Sequence, residues 1–425
     1  MQLTNSIHRH WFYTLLLGLS FLGIPDLGFS QTMNRIDSLQ SFPTFPDTLP
    51  ISNPEEAFTL PPAKADFLFS YYKQEGDHSA VTGGEGSEEL RDIASKVVVY
   101  LPIDTTESIG FEIGVNHYTS ASTDRIDPLM SSASYKDYRG QMQVSYTKEN
   151  PLKRTAFSIF VGGSIESDYI SANAGFSWSK TSKDKNREWV FTGRSFLDNW
   201  VVLFPNELRP IGLAQVDTDK RRSFSLGLTV SQIINKRLQA SLSSEVVYQY
   251  GLLSTPFHRV YFHRDSLPSI ERLPKRRIKL PIGIRLHYFA TDFLVLRLYY
   301  RYYYDSFGIH ANTVNVETPI KIGRFISVYP FYRFHTQQAS RYFQPLGEHA
   351  IEATYYTSDY DLSGFSSHKV GLGIKYAPLY GILRFKLSKK KLSKWKSISI
   401  RYAQYRRTDG LRAFLISSHL SFEIE

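Results

Sequence analysis

The sequence predicts an all-β chain folded as one antiparallel transmembrane β-barrel of about sixteen strands. Three observations predict it. A hydrophobic period of two runs from Lys64 to the C-terminus, the strands reach about 12 residues where soluble strands average ~5–6, and short and long links alternate strictly. Composition agrees: 425 residues carry 50 Lys+Arg against 40 Asp+Glu, a net charge of +10, with 28 Tyr and 29 Phe. At 21 % charged and 15 % aromatic, the chain is too polar for a bundle of membrane helices and too hydrophobic for disorder. With no cysteine, disulfides, thiolate zinc sites, iron–sulfur clusters and thiol nucleophiles are excluded together.

Residues 1–30 read as an export signal. Arg9, between His8 and His10, precedes the apolar run Phe12 to Ile24, and Gly28 and Ser30 supply small residues for cleavage near Ser30, before Gln31. A run of about thirteen residues is too short for a spanning helix, which needs ~20. Residues 31–63 carry Pro43, Pro46, Pro50, Pro54, Pro61 and Pro62 with little apolar periodicity, so a Pro-rich periplasmic tether is expected. It reads first as a plain linker and second as a docking arm anchored by Phe42, Phe45 and Phe58.

Residues 64–425 form the barrel. Between Ile278 and Ala290 the even positions Ile278, Leu280, Ile282, Ile284, Leu286 and Tyr288 are apolar, while Lys279, Gly283, Arg285 and His287 occupy the odd face. From Phe293 to Tyr304 the even face runs Leu294, Leu296, Leu298, then Tyr300, Tyr302 and Tyr304, opposite Arg297 and Arg301. An aliphatic band ending in tyrosines suits a lipid-facing strand, because tyrosine sets an apolar ring and a polar hydroxyl at the membrane boundary. The segments 223–230, 238–249 and 414–424 repeat the pattern. Strands are expected to start near Lys64, Ser95, Ser108, Lys136, Thr155, Tyr169, Arg187, Arg221, Arg237, Ile278, Phe293, Gly308, Gly323, Phe365, Lys394 and Leu411.

The links fall into two classes. Tight ones are Asp104–Glu107, Asn150–Arg154, Ser182–Asn186, Asn235–Lys236, Thr291–Asp292 and Thr318–Ile322, with Ala377–Ser393 as a long exception. The opposite end carries Gln74–Ala94, Ser120–Tyr135, Trp200–Lys220, Gly251–Arg277 and Thr336–Gly364 beside short links. Short turns inside and long loops outside is the outer-membrane pattern and puts both termini in the periplasm.

Several strings carry a family resemblance. Thr123-Asp124-Arg125-Ile126-Asp127, Ser131-Ser132-Ala133-Ser134, Glu166-Ser167-Asp168-Tyr169, Phe196-Leu197-Asp198-x-Trp200, Arg301-Tyr302-Tyr303-Tyr304, Pro330-Phe331-Tyr332-Arg333 and Tyr355 to Ser363 are similar to the outer-membrane family called domain of unknown function 3570. The resemblance runs from about Gln74 to the C-terminus. It implies a single Gram-negative outer-membrane barrel with no assigned activity, and a link to envelope flavin-attachment enzymes and small periplasmic lipoproteins. The chain departs from many barrels in ending on Glu425, with Phe422 three residues inside, where assembly machinery reads a terminal aromatic.

Chemistry-bearing residues cluster without forming a recognisable catalytic motif. The outward half gathers Asp77, Asp124, Asp127, Glu166, Asp168, Asp198 and Glu207. Their spacing matches no calcium loop, so pairing with Arg125, Arg139, Arg194 and Arg209 in a bracing network is expected. His258, His263, His335, His349 and His368 lie in or beside outer loops without ligand spacing on one element. Gly83-Gly84-x-Gly86 lacks the ending of a phosphate loop and reads as a loop able to fold into the lumen. Arg272, Lys275, Arg276 and Arg277 suit lipopolysaccharide phosphates, and Arg384, Lys386, Lys389, Lys390 and Lys391 suit the anionic inner leaflet. Expected partners are outer-membrane lipid, lipopolysaccharide, the barrel-assembly machinery and a periplasmic lipoprotein; nucleic acid is not among them. No catalytic residue, cofactor or metal ligand is assigned. A barrel of this size can hold an aqueous passage. Lumen-facing Glu245, Arg285, Arg297, Arg301 and Lys375 would set its field, so a channel or export conduit is expected, ahead of a non-conducting scaffold and an envelope enzyme.

Overall fold

The computed structural model describes residues 60–120, 136–202, 208, 217–264, 267–388 and 391–424. The leader and residues 31–59 of the tether lie outside the described residues. In chain order the strands are β1 (Ala63–Glu75), β2 (Leu90–Pro102), β3 (Glu107–Ser120), β4 (Lys136–Asn150), β5 (Thr155–Ile165), β6 (Tyr169–Thr181) and β7 (Arg187–Val202). They continue with β8 (Asp217–Asn235), β9 (Leu238–Gly251), β10 (Arg259–Val260), β11 (Ser269–Ile270), β12 (Arg276–Phe289), β13 (Val295–Asp305) and β14 (His310–Glu317). The last are β15 (Ile320–Lys321), β16 (Ile326–Gln337), β17 (Phe365–Tyr376), β18 (Leu383–Ser388), β19 (Lys391–Arg407) and β20 (Arg412–Ile424).

Each long strand pairs antiparallel with the next, and β1 pairs with β20 from Ala63↔Ile424 to Glu75↔Arg412, which closes the sheet. The result is a closed 16-strand barrel, to which β15 and β18 add short extensions at one end. Closure pairs the backbone groups that an open edge would expose to hydrocarbon, each at a cost of several kcal/mol.

Period two becomes inside and outside. Register carries one face through Phe67↔Val97, Val97↔Ile113 and Ile113↔Met142, and the other through Lys96↔Gly114 and Gly114↔Gln141. Leu226 is 66 % exposed and Val161 61 %, and such exposed apolar side chains recur on most of the long strands, a continuous surface suited to lipid. Aromatic residues gather on this outer face at both ends. Tyr71, Tyr138, Tyr248, Tyr300 and Tyr304 lie toward the long loops, while Trp178, Trp189, Tyr288, Tyr376 and Trp395 lie toward the tight turns. Two such girdles around an aliphatic band mark the span of a bilayer.

Some boundaries depart from the sequence reading. β2 begins at Leu90 rather than Ser95 because β1 pairs with it out to Gln74↔Leu90, which shortens the first long loop to residues 76–89. Gly308 sits in a turn at φ +91°, so β14 begins only at His310. The link expected over Thr318–Ile322 instead holds β15, set off from β14 at Pro319, which has no N–H to continue the ladder. The long link Ala377–Ser393 contains β18, whose Leu383 pairs with Trp395. Phe385 and Trp395 both pack against Phe422, so β18 thickens the apolar rim there.

Candidate functional site

Register places Glu245, Arg285, Arg297, Arg301 and Lys375 on the lumen face, with a strong asymmetry around the wall. From β12 to β19 that face carries Arg277, Lys279, Arg285, Arg297, Arg301, Arg333, Lys369, Lys375, Arg401 and Arg407, against Asp305 and Glu317 among the described residues. Both carboxylates are bound to arginines. Asp305 pairs with Arg277, and Glu317 accepts from Arg297 Nη1 at 2.9 Å and Arg401 Nη2 at 3.0 Å. Glu317 stands on β14 and Arg401 on β19, so this bridge reaches over β16 and β17. The side chains of Arg297 and Arg401 remain 42 % exposed, open to the lumen. Aromatic rings support the arginines from the same face: Arg285 lies 5.2 Å from the Tyr299 ring centre and Arg401 5.6 Å from that of Tyr329. At the tight-turn end a hollow of about 480 Å³ is lined by Lys321, Arg324, Ser327, Tyr329 and Lys375.

The remaining wall sets acids beside several of its basic groups. Lys96 pairs with Glu112, His419 with Asp66 at 2.9 Å, and Arg221 Nε with Asp198 at 2.7 Å. A wall rich in cations facing one with acids interspersed sets up a transverse field across the lumen.

Among the acids of the expected outer cluster, Asp124 and Asp127, with Arg125, Glu207 and Arg209, lie outside the described residues. Asp198 pairs with Arg221 instead of the arginines expected from sequence, and also accepts from Tyr169 and Ser171 hydroxyls at 2.9 and 2.7 Å. The reason is register: Asp198 is directly opposite both Ser171 and Arg221. Arg194 lies over the Phe160 ring at 5.7 Å. Arg139, Glu166 and Asp168 are buried together near the β5–β6 turn, where burial first and Asp137 second push the Asp168 carboxyl up to about 7. Asp77 is exposed in the β1–β2 loop.

At the long-loop end three loops pack into a cap. Residues 338–364 turn inward: Arg407 on the lumen face binds Asp361, Asp409 and the Tyr360 carbonyl, and Gln337 Nε2 donates to the Asp361 and Ser363 carbonyls at 3.0 and 2.7 Å. Leu362 then joins Leu273, Tyr303, Phe307, Ile309 and Ala311 in a buried cluster that plugs loop side chains into the wall. The β1–β2 loop closes over this. Its Gly83, Gly84 and Gly86 all have φ near +90 to +100°, a region open to glycine, and a Cβ at Gly83 would collide with the Tyr261 ring. The glycine run therefore serves close backbone packing. Arg259 Nη1 donates to the Val81 carbonyl at 2.6 Å, and His78 stacks on Tyr360 at 3.8 Å. Glu88 is pushed up to about 9, by burial first and then by Asp361, Asp359 and Asp409, with Arg407 opposing.

The five loop histidines do not converge. His335 meets Thr313 at 2.9 Å in the lumen, His368 meets Tyr332 at 2.7 Å on the lipid face, His349 lies beside the Thr357 carbonyl at 3.1 Å, and His263 is exposed. His258 instead meets two acids that the sequence reading did not single out, Glu271 and Asp359, with donor atoms all within 4.8 Å. Asp359 belongs to the Tyr355–Ser363 string that carried the family resemblance, the one signal that pointed there. Arg277, read as part of a lipopolysaccharide-facing cluster, is buried on the lumen face with Asp305, whereas Arg272, Lys275 and Arg276 are exposed.

The chain is similar in structure to a bacterial polysaccharide outer membrane secretin, at 9 % identity, covering 87 % of this chain and 99 % of that one, with a TM-score of 0.44. It is also similar to the outer membrane protein opdK from Pseudomonas aeruginosa, at 8 % identity, 85 % and 98 % coverage and a TM-score of 0.40. For the siderophore receptor PirA from Acinetobacter baumannii the identity is 10 %, the coverage 83 % and 54 %, and the TM-score 0.43. No curated protein matches the chain in sequence. The model of the family described as protein of unknown function (DUF3570) matches residues 111–408, more than half of the chain, and the chain belongs to that family.

Proposed function

We propose that this protein is an outer-membrane conduit for small anionic solutes, with the inward-folded 338–364 loop limiting access at its outer mouth. The supporting observation is the lumen wall from β12 to β19, where Arg285, Arg297, Arg301, Arg333, Lys369, Lys375 and Arg401 stand with Glu317, a carboxylate already bound to Arg297 and Arg401. Such a wall attracts anions over cations and holds them through exchangeable, lumen-exposed guanidinium groups. In this reading the long-loop end faces outward, both termini lie in the periplasm, and Arg272, Lys275 and Arg276 meet lipopolysaccharide phosphates. The leader is cleaved near Ser30.

Liposome swelling with size-matched solutes tests the proposal. Faster entry of a small dicarboxylate than of an equally sized diamine supports it; equal entry, or faster diamine entry, contradicts it. The packed cap favours a second reading, a non-conducting scaffold for a periplasmic lipoprotein. Folded protein that gives no swelling, but co-purifies with a lipoprotein only when residues 31–62 are present, would establish that reading instead.

A further inference from the structure

We propose that His258, Glu271 and Asp359 bind a divalent transition-metal ion of the zinc type, which ties the β9–β12 loop to the β16–β17 loop. The three donor atoms lie within 4.8 Å of one another, yet they come from two loops about ninety residues apart in sequence. His258 Nδ1 is shut off from solvent, has no hydrogen-bond partner and faces the two carboxylates. Its distance to Glu271 Oε1 is 3.6 Å, too long for a hydrogen bond. It is close to the about 3.3 Å that separates two ligands on a tetrahedral ion with bonds of about 2.0–2.1 Å.

The surrounding groups hold the carboxylates in place and leave lone pairs free. Glu271 accepts from Thr357 Oγ1 at 2.5 Å and from the Thr255 N–H at 2.6 Å, one bond to each oxygen. Asp359 Oδ1 accepts from the Asp361 N–H at 2.9 Å. This is the outer-shell arrangement that fixes ligand orientation at metal centres. Beside Glu271 and Asp359 lies a cavity of about 20 Å³, also lined by Gln249, Thr255, Arg277 and Asp361, enough for one bound water next to the two carboxylates. Asp361 is held by Arg407, whereas Glu271 and Asp359 meet no guanidinium at hydrogen-bond distance among the contacts seen. The imidazole selects the class, since calcium and magnesium take oxygen ligands whereas zinc and its neighbours take mixed nitrogen and oxygen sets.

The test titrates Zn²⁺ alone into the full-length protein folded in detergent, by calorimetry, with heat-modifiable migration on a gel to verify folding. One saturable Zn²⁺ per chain is expected. His258→Gln and Asp359→Asn should each weaken binding by about 100-fold or more, Thr357→Val by about tenfold, and His263→Gln not at all. Absence of saturable binding by the folded wild type would overturn the proposal. So would binding that survives His258→Gln, binding lost in His263→Gln, or a site that takes Ca²⁺ as tightly as Zn²⁺. Should the single variants not fold, protection of residues 258–271 from a protease by Zn²⁺ in the wild type decides the same point, with no protection counting against it.

Discussion

Arg407 joins the inward loop to the barrel wall, and replacing it with methionine isolates that link. Its side chain is only 5 % exposed, and those of Asp361 and Asp409 are 16 % and 10 % exposed, so all three charges are largely removed from water. The guanidinium bonds both carboxylates and the Tyr360 carbonyl, and it stacks 3.8 Å from the Phe365 ring centre. Methionine keeps the apolar stem but leaves two carboxylates without their cation. Removing one partner of a buried ion pair costs about 3–5 kcal/mol, and at a loop mouth, where water can reach the freed groups, the lower end applies. Because the loop opens locally while the sheet stays closed, the loss falls on loop opening. A change of about 3 kcal/mol accelerates amide exchange in residues 360–363 by about 100-fold, with strand amides unchanged. Hydrogen exchange on detergent-folded Arg407→Met reads this directly. Loop exchange within threefold of wild type would refute the idea that Arg407 holds the loop in the mouth.

Other expectations follow from the same geometry. At about 6 Å from a permeating ion in water one charge contributes about 0.7 kcal/mol, roughly halved at 0.1 M salt, so Arg301→Glu shifts the anion-to-cation permeability ratio about tenfold toward cations. Reversal potentials check this. Asp305 is fully buried and accepts from Arg277, Tyr303 and the Phe307 and Ile309 N–H groups, so Asp305→Ala lowers stability against urea in lipid vesicles by about 3–5 kcal/mol. Burial first, and then the neighbouring Asp361, push the Glu88 carboxyl up to about 9 from its ordinary value near 4.5, so the folded cap retains its proton. The Glu88 contribution to cap stability is then full below about pH 4.5 and declines as pH rises toward 9, and Glu88→Gln, which mimics the protonated form, makes the decline in loop protection between pH 5 and 8 shallower.

The barrel was legible in the sequence because a lipid-facing strand must obey one strict rule, apolar residues at every second position with aromatics at the ends. Ile278 to Tyr288 and Leu296 to Tyr304 display that rule residue by residue, and register places those residues on the outer face. The same alternation put Arg285, Arg297 and Arg301 on the lumen face. What alternation cannot reveal is which strands face each other across the lumen or over neighbours. The Glu317 bridge to Arg401 spans two intervening strands, and the pairing of Asp198 with Arg221 depends on cross-strand register. β18 was missed although Leu383, Phe385 and Leu387 alternate with Arg384 and Lys386, because the basic run beside it read as a loop. The cap was hardest to foresee. His258, Glu271 and Asp359 meet through loops whose path is set by a buried cluster, by glycine backbone angles and by Arg407, none of which leaves a periodic trace.

The central claim, that the β12–β19 wall selects anions, is tested most directly by the reversal potential of the wild-type protein in a planar bilayer under a tenfold KCl gradient. An anion-selective wall gives open-channel current with a potential of the sign set by chloride. A potential set by potassium, or folded and inserted protein that carries no current, would contradict it.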